Sequence, residues 1–476
     1  LDECRQALAR ILEALRRPYV LQRSEVLLSA SIGVTVYPMD DSAADQLLRH
    51  ADQAMYRAKD EGRDTYHFFD IAEHRRNRSQ REELARIEEG LARGEFCLYY
   101  QPKLDMRRRR VVGVEALIRW QHPEDGLLLP LQFLPRVDES LALSVALGDW
   151  VIAEAFAQVS RWIEEGVAFG KVSINISPPH LESPDFSARL RRHLAVHPAI
   201  VPGLIEFEIV ESAALADIGH VSEVMTACHE LGISFALDDF GTGYSSLAYL
   251  RQLPACTLKI DQSFIRDMLE DPDDLAIVEG VIGLARAFQR EVIAEGVESD
   301  QHGALLLQLG CDQAQGFGIS PPMPADSLAG WIADLPGPQG NRALRQAAGE
   351  DVAASPLLKA EVDLRHWVNR VISQLRGATP AQPLPLETTN CRFGAWYYGE
   401  GLQLYAQDPR YHTIGTLHQQ MHALANLLLE QHPEQGLQPA VIKRVPELLL
   451  LRDNLVAQLR QLTADAAVAP TQARRG

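Results

Sequence analysis

A carboxylate, an amide or a lysine closes almost every short apolar run between residues 96 and 315 of this chain. Glu115 closes Val-Val-Gly-Val-Glu and Asn175 closes Val-Ser-Ile-Asn. Glu208 and Glu211 punctuate Ile-Glu-Phe-Glu-Ile-Val-Glu, and Asp238 and Asp239 end Phe-Ala-Leu-Asp-Asp. Lys259 and Asp261 flank Ile260, Glu295 and Glu298 close Ile-Ala-Glu-Gly-Val-Glu, and Gln315 follows the last run. Oxygen donors without His or Cys among them suit Mg²⁺ or Mn²⁺ rather than zinc. So many carboxylates cannot share a bowl unless cations neutralise them. Several carboxylates suggest two ions, and two ions suggest in-line displacement at phosphorus. Lys259 fits as a group that orients or activates a water. Any one of these residues alone reads as a helix cap or a solvated loop residue. Seven run ends together favour a shared site.

A second set of chemistry-bearing residues lies near the C-terminus. His418 and His422 are four apart, so both imidazoles project from one helix face. Cys391 is a third donor, and His366 is the histidine that precedes it in this zone. A closed zinc site needs four ligands. Spacing alone therefore leaves two readings open, a zinc site or a buried thiol beside a solvated histidine face.

The elements that must position these groups follow from the pattern. Short apolar strands are expected at 96–101, 111–116, 172–176, 205–211, 234–238, 257–260, 291–294 and near Ala314, with helices such as 148–164, 219–231 and 275–289 between them. Eight strands with helical crossovers suit a (β/α)₈ barrel, whose C-terminal strand ends form one rim where sites are built. A doubly wound sheet is the alternative, weakened by the lack of a Gly-rich phosphate loop after the first strand. The α/β barrel thus spans 93–330. Before it come an α/β segment at 1–70, with a strand pair around 26–37 and a helix around 43–61, and a charged helical connector at 71–92. Leu47, Leu48, Ala51, Ala54, Met55 and Ala58 form the apolar stripe of the 43–61 helix. After the barrel come a Pro/Gly/Ala/Gln-rich linker at 331–360, a helical zone at 361–463 and a disordered tail at 464–476.

Composition narrows the function class. The 476 residues carry 46 Lys+Arg against 64 Asp+Glu, a net charge of −18, a poor basis for a general nucleic-acid field. No apolar run is expected to be long enough to cross a bilayer, since Asp149, Glu154 or Arg452 breaks the longest. Six scattered cysteines point to a reducing, cytoplasmic compartment rather than a disulfide framework. The chain opens at Leu1 within a helical pattern and reads as a fragment, so an upstream membrane or sensory segment stays open.

Glu115-Ala116-Leu117 followed by Ile118-Arg119-Trp120 resembles the signature of the EAL cyclic di-GMP phosphodiesterases. The resemblance covers about residues 82–330. It rests on an ordered set of motifs: Gln101-Pro102, Asn175-Ile176-Ser177, Glu208 to Ser212, Asp238 to Ser246, Leu258 to Asp261, Glu295 to Glu298 and Gln315-Gly316-Phe317. It implies that Glu115, Asn175, Glu208 and Asp238 ligate metal and that Asp239 faces a second metal. Lys259 would stand beside the hydrolytic water, and Glu211 would steady a mobile loop at 240–246. Glu295 and Gln315 would lie near the second metal and the guanine end, with Arg119 facing the substrate phosphate. Gln101 and Asp261 count with them as substrate-binding. The implied activity is hydrolysis of cyclic di-GMP to the linear dinucleotide pGpG, by a homodimer. A receptor that binds without cleaving, or a signalling scaffold, is the alternative. The intact set from Glu115 to Gln315 speaks for catalysis.

The flanks carry resemblances too. Residues 31–38, 51–59 and Gly62-Arg63 are similar to the C-terminal part of a GGDEF diguanylate cyclase domain whose signature hairpin would precede Leu1, so this segment is not expected to make cyclic di-GMP. Residues 361–430, with Cys391-Arg392-Phe393-Gly394-Ala395-Trp396 and the His418/His422 pair, resemble the chemoreceptor zinc-binding domain, with its one Cys and three His ligands. The family's first histidine falls at Leu364, three residues before Trp367, whereas His366 lies two residues on, about 200° around a helix. Cys391, His418 and His422 are the implied zinc ligands, His366 a displaced fourth, and His412 its substitute. A zinc-bound Cys391 thiolate would also react with oxidants, which adds a redox input.

Overall fold

The computed structural model describes residues 1–21, 24–214, 217–243, 247–335, 355–376, 383–430 and 444–466. Residues 336–354 of the expected linker, 244–246 of the expected loop and 467–476 of the expected tail lie outside the described residues. Residues 331–333 and 355–360 of that linker and 464–466 of that tail are instead helical, within Ala325–Ala333, Ser355–Leu375 and Val445–Ala466. The chain divides into two compact units, Leu1–Arg93 and Gly94–Gly476.

In the first unit Tyr19–Leu21 pairs antiparallel with Ser24–Val26, and Ile32–Val34 pairs in parallel with Tyr66–Phe68. The strand pair expected around 26–37 is therefore split between two sheets. Helix Ala44–Asp60 buries Ala54 and Ala58, but Leu48 is 73% exposed, so the expected apolar stripe is narrower than its sequence suggests. Asp70 caps helix Ile71–Ala92 by accepting from the Glu73 N–H.

The second unit opens with the barrel strands β1 Phe96–Asp105, β2 Arg110–His122, β3 Lys171–Asn175, β4 Ile205–Val210, β5 Ser234–Phe240, β6 Thr257–Ile260, β7 Glu291–Ala294 and β8 Gln313–Ala314. Neighbours from β2 to β8 pair in parallel. β1 closes the barrel by pairing antiparallel with both β2 and β8. That reversal departs from the uniform β/α alternation expected, and its cause is local. Only a tight turn joins β1 to β2, with Asp105 accepting from the Arg108 N–H and Arg109 at φ 53°. A parallel partner would need a crossover of a dozen residues or more. β2 also runs on to His122, so Glu115 sits inside a strand rather than at its end. β4 stops at Val210, and Glu211 opens the short helix that follows.

The crossover helix Leu141–Glu165 has 25 residues and is long and apolar enough to cross a membrane, contrary to the expectation that charges break every such run. Half of its most apolar window is buried in the fold. Trp162 packs edge-on against Tyr100 of β1, with ring centroids 4.7 Å apart.

Beyond the barrel strands, the helices that matter are α1 Gln262–Asp267, α2 Pro272–Ala287, α3 Ser355–Leu375, α4 Arg392–Trp396, α5 Pro409–Glu430 and α6 Val445–Ala466. α3, α5 and α6 bury a shared apolar core that includes Leu364, Val368, Ile414, Met421, Leu455 and Leu459. The bundle belongs to the barrel's unit. Lys359 of α3 pairs with Glu279 of α2 at 3.1 Å, Arg365 pairs with Glu270 at 3.1 Å, and Asn369 donates to the Glu270 carbonyl at 3.0 Å.

Candidate active site and metal triad

The barrel's registers set side chains from distant parts of the chain opposite one another. Gln101 lies across from Glu115, and Asn175 across from Glu208. The Glu115 carboxylate is bracketed by two amides: Asn175 Nδ2 donates to it at 2.7 Å and Gln315 Nε2 at 2.6 Å. Gln315 also donates to Gln101 Oε1 at 2.9 Å, and Gln101 donates to the Ser320 carbonyl.

Lys259 sits at the centre with no exposed surface. Its Nζ lies 2.5 Å from Glu208, 2.7 Å from Glu295, 3.0 Å from Asp238 and 3.8 Å from Glu115. The carboxylates fall into two sets of donor atoms within 4.8 Å of one another, Glu115/Glu208/Asp238 and Asp238/Asp239/Glu295. Asp239 joins its set from the left-handed region, at φ 53°, where only a few per cent of non-glycine residues sit.

Lys103, which the sequence reading missed, completes the charge pattern. It is buried, with Nζ 2.5 Å from Glu208 and 2.5 Å from Ser173 Oγ, and 3.7 Å from Glu206. Ser173 and Thr257 each donate to Glu206 at 2.9 Å, which makes a polar layer beneath the mouth. The two-residue alternation from Gln101 to Lys103 along β1 was the available signal, since both point into the barrel.

Five carboxylates thus converge on two ammonium groups, and the imbalance shows in their protonation. Burial alone would raise Glu208, but Lys103 and Lys259 hold it at about 2. Burial and the neighbouring Glu208 charge push Glu115 up despite Lys259. Burial, with Asp238 and Glu115 nearby, pushes Glu295 well above the usual carboxylate range. Burial and Asp238 push Asp239 up to about 6. Lys259 is held charged, because its carboxylates outweigh its burial. The excess of negative charge is what divalent cations would neutralise, so the residues fit the hard ions implied by their oxygen donors.

Other expected site residues stand around this cluster. Glu211 is buried and accepts from the Gly241 N–H at 3.0 Å, at the start of the expected mobile loop. Asp261 caps α1 through the Ser263 N–H at 2.9 Å, and its carboxyl also faces Asp239. Arg119 donates to the Ile118 carbonyl at 2.8 Å, with its guanidinium 5.6 Å from the Tyr99 ring centroid. The mouth opens into a cleft with about 210 Å³ of water-accessible space, lined by Gln101, Glu115, Asp238, Glu295 and Gln315, with Phe317 72% exposed beside them.

The C-terminal triad is built differently. Cys391, His418 and His422 are all buried, with donor atoms within 4.8 Å of one another. Cys391 Sγ lies 3.3 Å from His418 Nε2 and accepts from the Gly394 N–H at 3.1 Å. A Cβ on Gly394 would meet the Thr388 carbonyl oxygen at 1.7 Å, so only glycine allows this turn. His422 Nδ1 donates to the Leu386 carbonyl at 2.8 Å, which leaves the Nε2 lone pair buried without a partner. A histidine oriented by a carbonyl with its other nitrogen free is the usual arrangement of a metal ligand. Burial and His422 push His418 down to about 3, which keeps it neutral. The expected fourth donors lie elsewhere. His366 is buried outside the triad, near Met268 and Asp271 of the barrel, and His412 is exposed.

Comparison with known proteins divides the chain in three. Residues 84–322 match the family model of the EAL domain, 365–429 that of the chemoreceptor zinc-binding domain and 1–65 that of the diguanylate cyclase GGDEF domain. Over 324 residues, 68% of this chain, it is 38% identical to the bifunctional diguanylate cyclase/cyclic di-GMP phosphodiesterase MucR of Pseudomonas aeruginosa, of which it covers 47%. It is 36% identical to the cyclic di-GMP phosphodiesterase PdeR of Escherichia coli over 68% of this chain and 48% of PdeR. The chain therefore spans about half the length of the curated relatives it matches. Among solved structures, the PaMucR phosphodiesterase in complex with c-di-GMP is 38% identical with a TM-score of 0.50, covering 52% of this chain and 99% of that one. The EAL enzyme Bd1971 in its cAMP- and cyclic-di-GMP-bound form is 28% identical with a TM-score of 0.53, covering 62% of this chain and 77% of that one.

Proposed function

This chain belongs to the EAL domain family, and from that membership and the geometry of the barrel mouth we propose that it hydrolyses one phosphodiester bond of cyclic di-GMP to give linear pGpG, with the help of divalent cations. The observation that carries the proposal is the crowding of Glu115, Glu208, Asp238 and Glu295 around the buried ammonium of Lys259. Bound at Glu115, Asn175, Glu208, Asp238 and Asp239, two Mg²⁺ or Mn²⁺ ions would supply neutralisation of phosphoryl charge and a water of lowered pKa.

The chain's own residues do the rest. Lys103 and Lys259 keep Glu208 ionised and fixed. Asn175 and Gln315 hold the Glu115 carboxylate from both sides, so it needs no reorientation. Turning the Asn175 amide over would aim its oxygen where its nitrogen now points. Lys259 is placed to hold the attacking water between Glu295 and Asp238. Glu211, through Gly241, fixes the backbone two residues after Asp239. Gln101 and Phe317 offer the cleft an amide and an exposed aromatic face for a guanine base. Arg119 would have to swing from the Ile118 carbonyl to reach a phosphate.

The proposal extends to regulation by zinc and oxidation through the bundle. Trp367 of α3 stacks on His422 at 3.9 Å, while Arg365 and Asn369 of the same helix hold Glu270, just beyond α1, which Asp261 begins. α3 thus touches the triad and the segment that follows α1. Oxidation of Cys391 would cost the triad its sulfur donor. A homodimer in a reducing, cytoplasmic compartment completes the reading. Sedimentation and fractionation check those two points.

Purified chain incubated with cyclic di-GMP should release pGpG with Mg²⁺ or Mn²⁺ and stop on chelation. Binding without cleavage under every metal condition would replace the enzyme with a receptor.

A further inference from the structure

We infer that the C-terminal triad is an open zinc site: three protein ligands, with the fourth coordination position filled from solution, because Leu364 stands where α3 would have delivered a donor. The inference rests on the zinc reading above and goes beyond it.

Among the described residues, the His, Cys, Asp and Glu donors gathered here are Cys391, His418 and His422 alone. Cys391 comes from the turn before α4, and the two histidines come from α5. The remaining wall is α3, whose Trp367 ring stacks on the His422 ring with planes 26° apart. Residues three apart share a helix face, so Leu364 points to the same side as Trp367. Leu364 is fully buried, in the same apolar core as Cys391. Of the donors flanking it on α3, buried Asp363 is near enough to add to the burial that pushes the Cys391 thiol up, and its Oδ1 has no hydrogen-bond partner, yet it stands outside the gathered donor set. Asp363 lies 3.8 Å from Arg392, and His366 lies against the barrel. On α5, Asn426 has a buried, unpartnered Oδ1 one turn beyond His422, but a neutral amide is outside zinc's usual donor class.

Zinc in a protein takes four ligands, and a site with three keeps the fourth open to water or another small donor. The buried Nε2 of His422 and the Cys391 sulfur supply two firm donors. The missing one makes the metal exchangeable and lets a small thiol, chloride or hydroxide bind it directly. Such a site reports on the composition of the surrounding solution, not only on zinc.

The test uses the full chain. Zinc affinity is measured by competition with a chromophoric chelator. Cobalt is substituted and followed through its thiolate charge-transfer band, with Cys391→Ala as the blank. Even an outer-shell partner moves metal affinity about 10–100-fold, so Leu364→His should tighten zinc by at least about tenfold. His366→Ala and Asn426→Ala should stay within about twofold of the parent. Added 2-mercaptoethanol should shift the cobalt band of the parent and leave that of Leu364→His unmoved. The inference is overturned if Asp363→Ala, His366→Ala or Asn426→Ala weakens zinc as much as His418→Ala, or if the parent's band ignores thiol. Should Leu364→His fail to fold, the thiol response of the parent still decides. A parent that binds neither metal at Cys391 removes the zinc reading itself.

Discussion

The barrel mouth and the helical triad both gather donors, but they are held together in opposite ways. At the mouth, partners as remote in sequence as Gln101 and Gln315, 214 residues apart, meet, and most of the metal-donor candidates are charged oxygens. In the bundle, Cys391 and His418 are 27 residues apart, and the donors are soft and kept neutral by burial. The mouth carries counter-charges of its own in Lys103 and Lys259, which hold Glu208 and offset part of the remaining negative charge. The triad has no such substitute, and His422 Nε2 is left bare. The difference teaches that the mouth's architecture leans on its lysines, so divalent cations there would serve chemistry. The triad's architecture would lean on a metal.

That contrast can be broken in a series of steps. The largest effect is expected from Glu208→Gln, which removes the charge shared by both lysines. Hydrolysis should fall on the order of 10²–10³-fold or more, as when one preorganised catalytic donor is lost, while nucleotide binding measured by calorimetry persists. Next comes Lys259→Met. It leaves buried carboxylates without their central counter-charge, and breaking such a set costs about 3–5 kcal/mol. Denaturant unfolding should show that loss, and added Mn²⁺ should restore part of it. If Mn²⁺ restores nothing, the carboxylates do not hold cations.

Stripping zinc with a chelator that ignores Mg²⁺ should then lower the bundle's melting temperature. At a free zinc level of 100 times Kd the stabilisation lost is about 2.7 kcal/mol, and Cys391→Ala should melt like the stripped protein. The smallest effect is expected from Glu270→Ala. Its pair with Arg365 is partly exposed and contributes no more than about 1 kcal/mol. Basal hydrolysis should hardly change, yet the response of hydrolysis to zinc should fade. An undiminished response would place the coupling outside α3.

The two sites also differ in how far the sequence exposes them. Strand-end residues such as Asn175, Asp238 and Lys259 are legible because an apolar run followed by a polar residue marks a rim, and the mouth brings them together. Lys103 is hidden because it lies inside β1 among buried residues, where its charge is satisfied only by Glu208 and Glu206 from another strand. The antiparallel direction of β1 was readable from its tight connection to β2, but the helical rhythm of the rest obscured it. The His418/His422 pair needs only helix periodicity, so it survives in the structure unchanged. His366 shows the limit of the same reasoning. A one-dimensional offset places it two residues from a ligand position, and only the packing of α3 on the barrel shows which way it faces. Leu48 fails for a related reason, because periodicity gives a face but not its width.

The central claim is that the carboxylates around Lys259 grip two cations. Crystals grown with Mn²⁺ and cyclic di-GMP, with diffraction recorded at the manganese edge, address it directly. The account predicts two anomalous peaks about 3.5–4 Å apart, one among Glu115, Asn175, Glu208 and Asp238 and the other beside Asp239. A fully occupied nucleotide with no manganese at those carboxylates, or with the metal bound on another face, would contradict it.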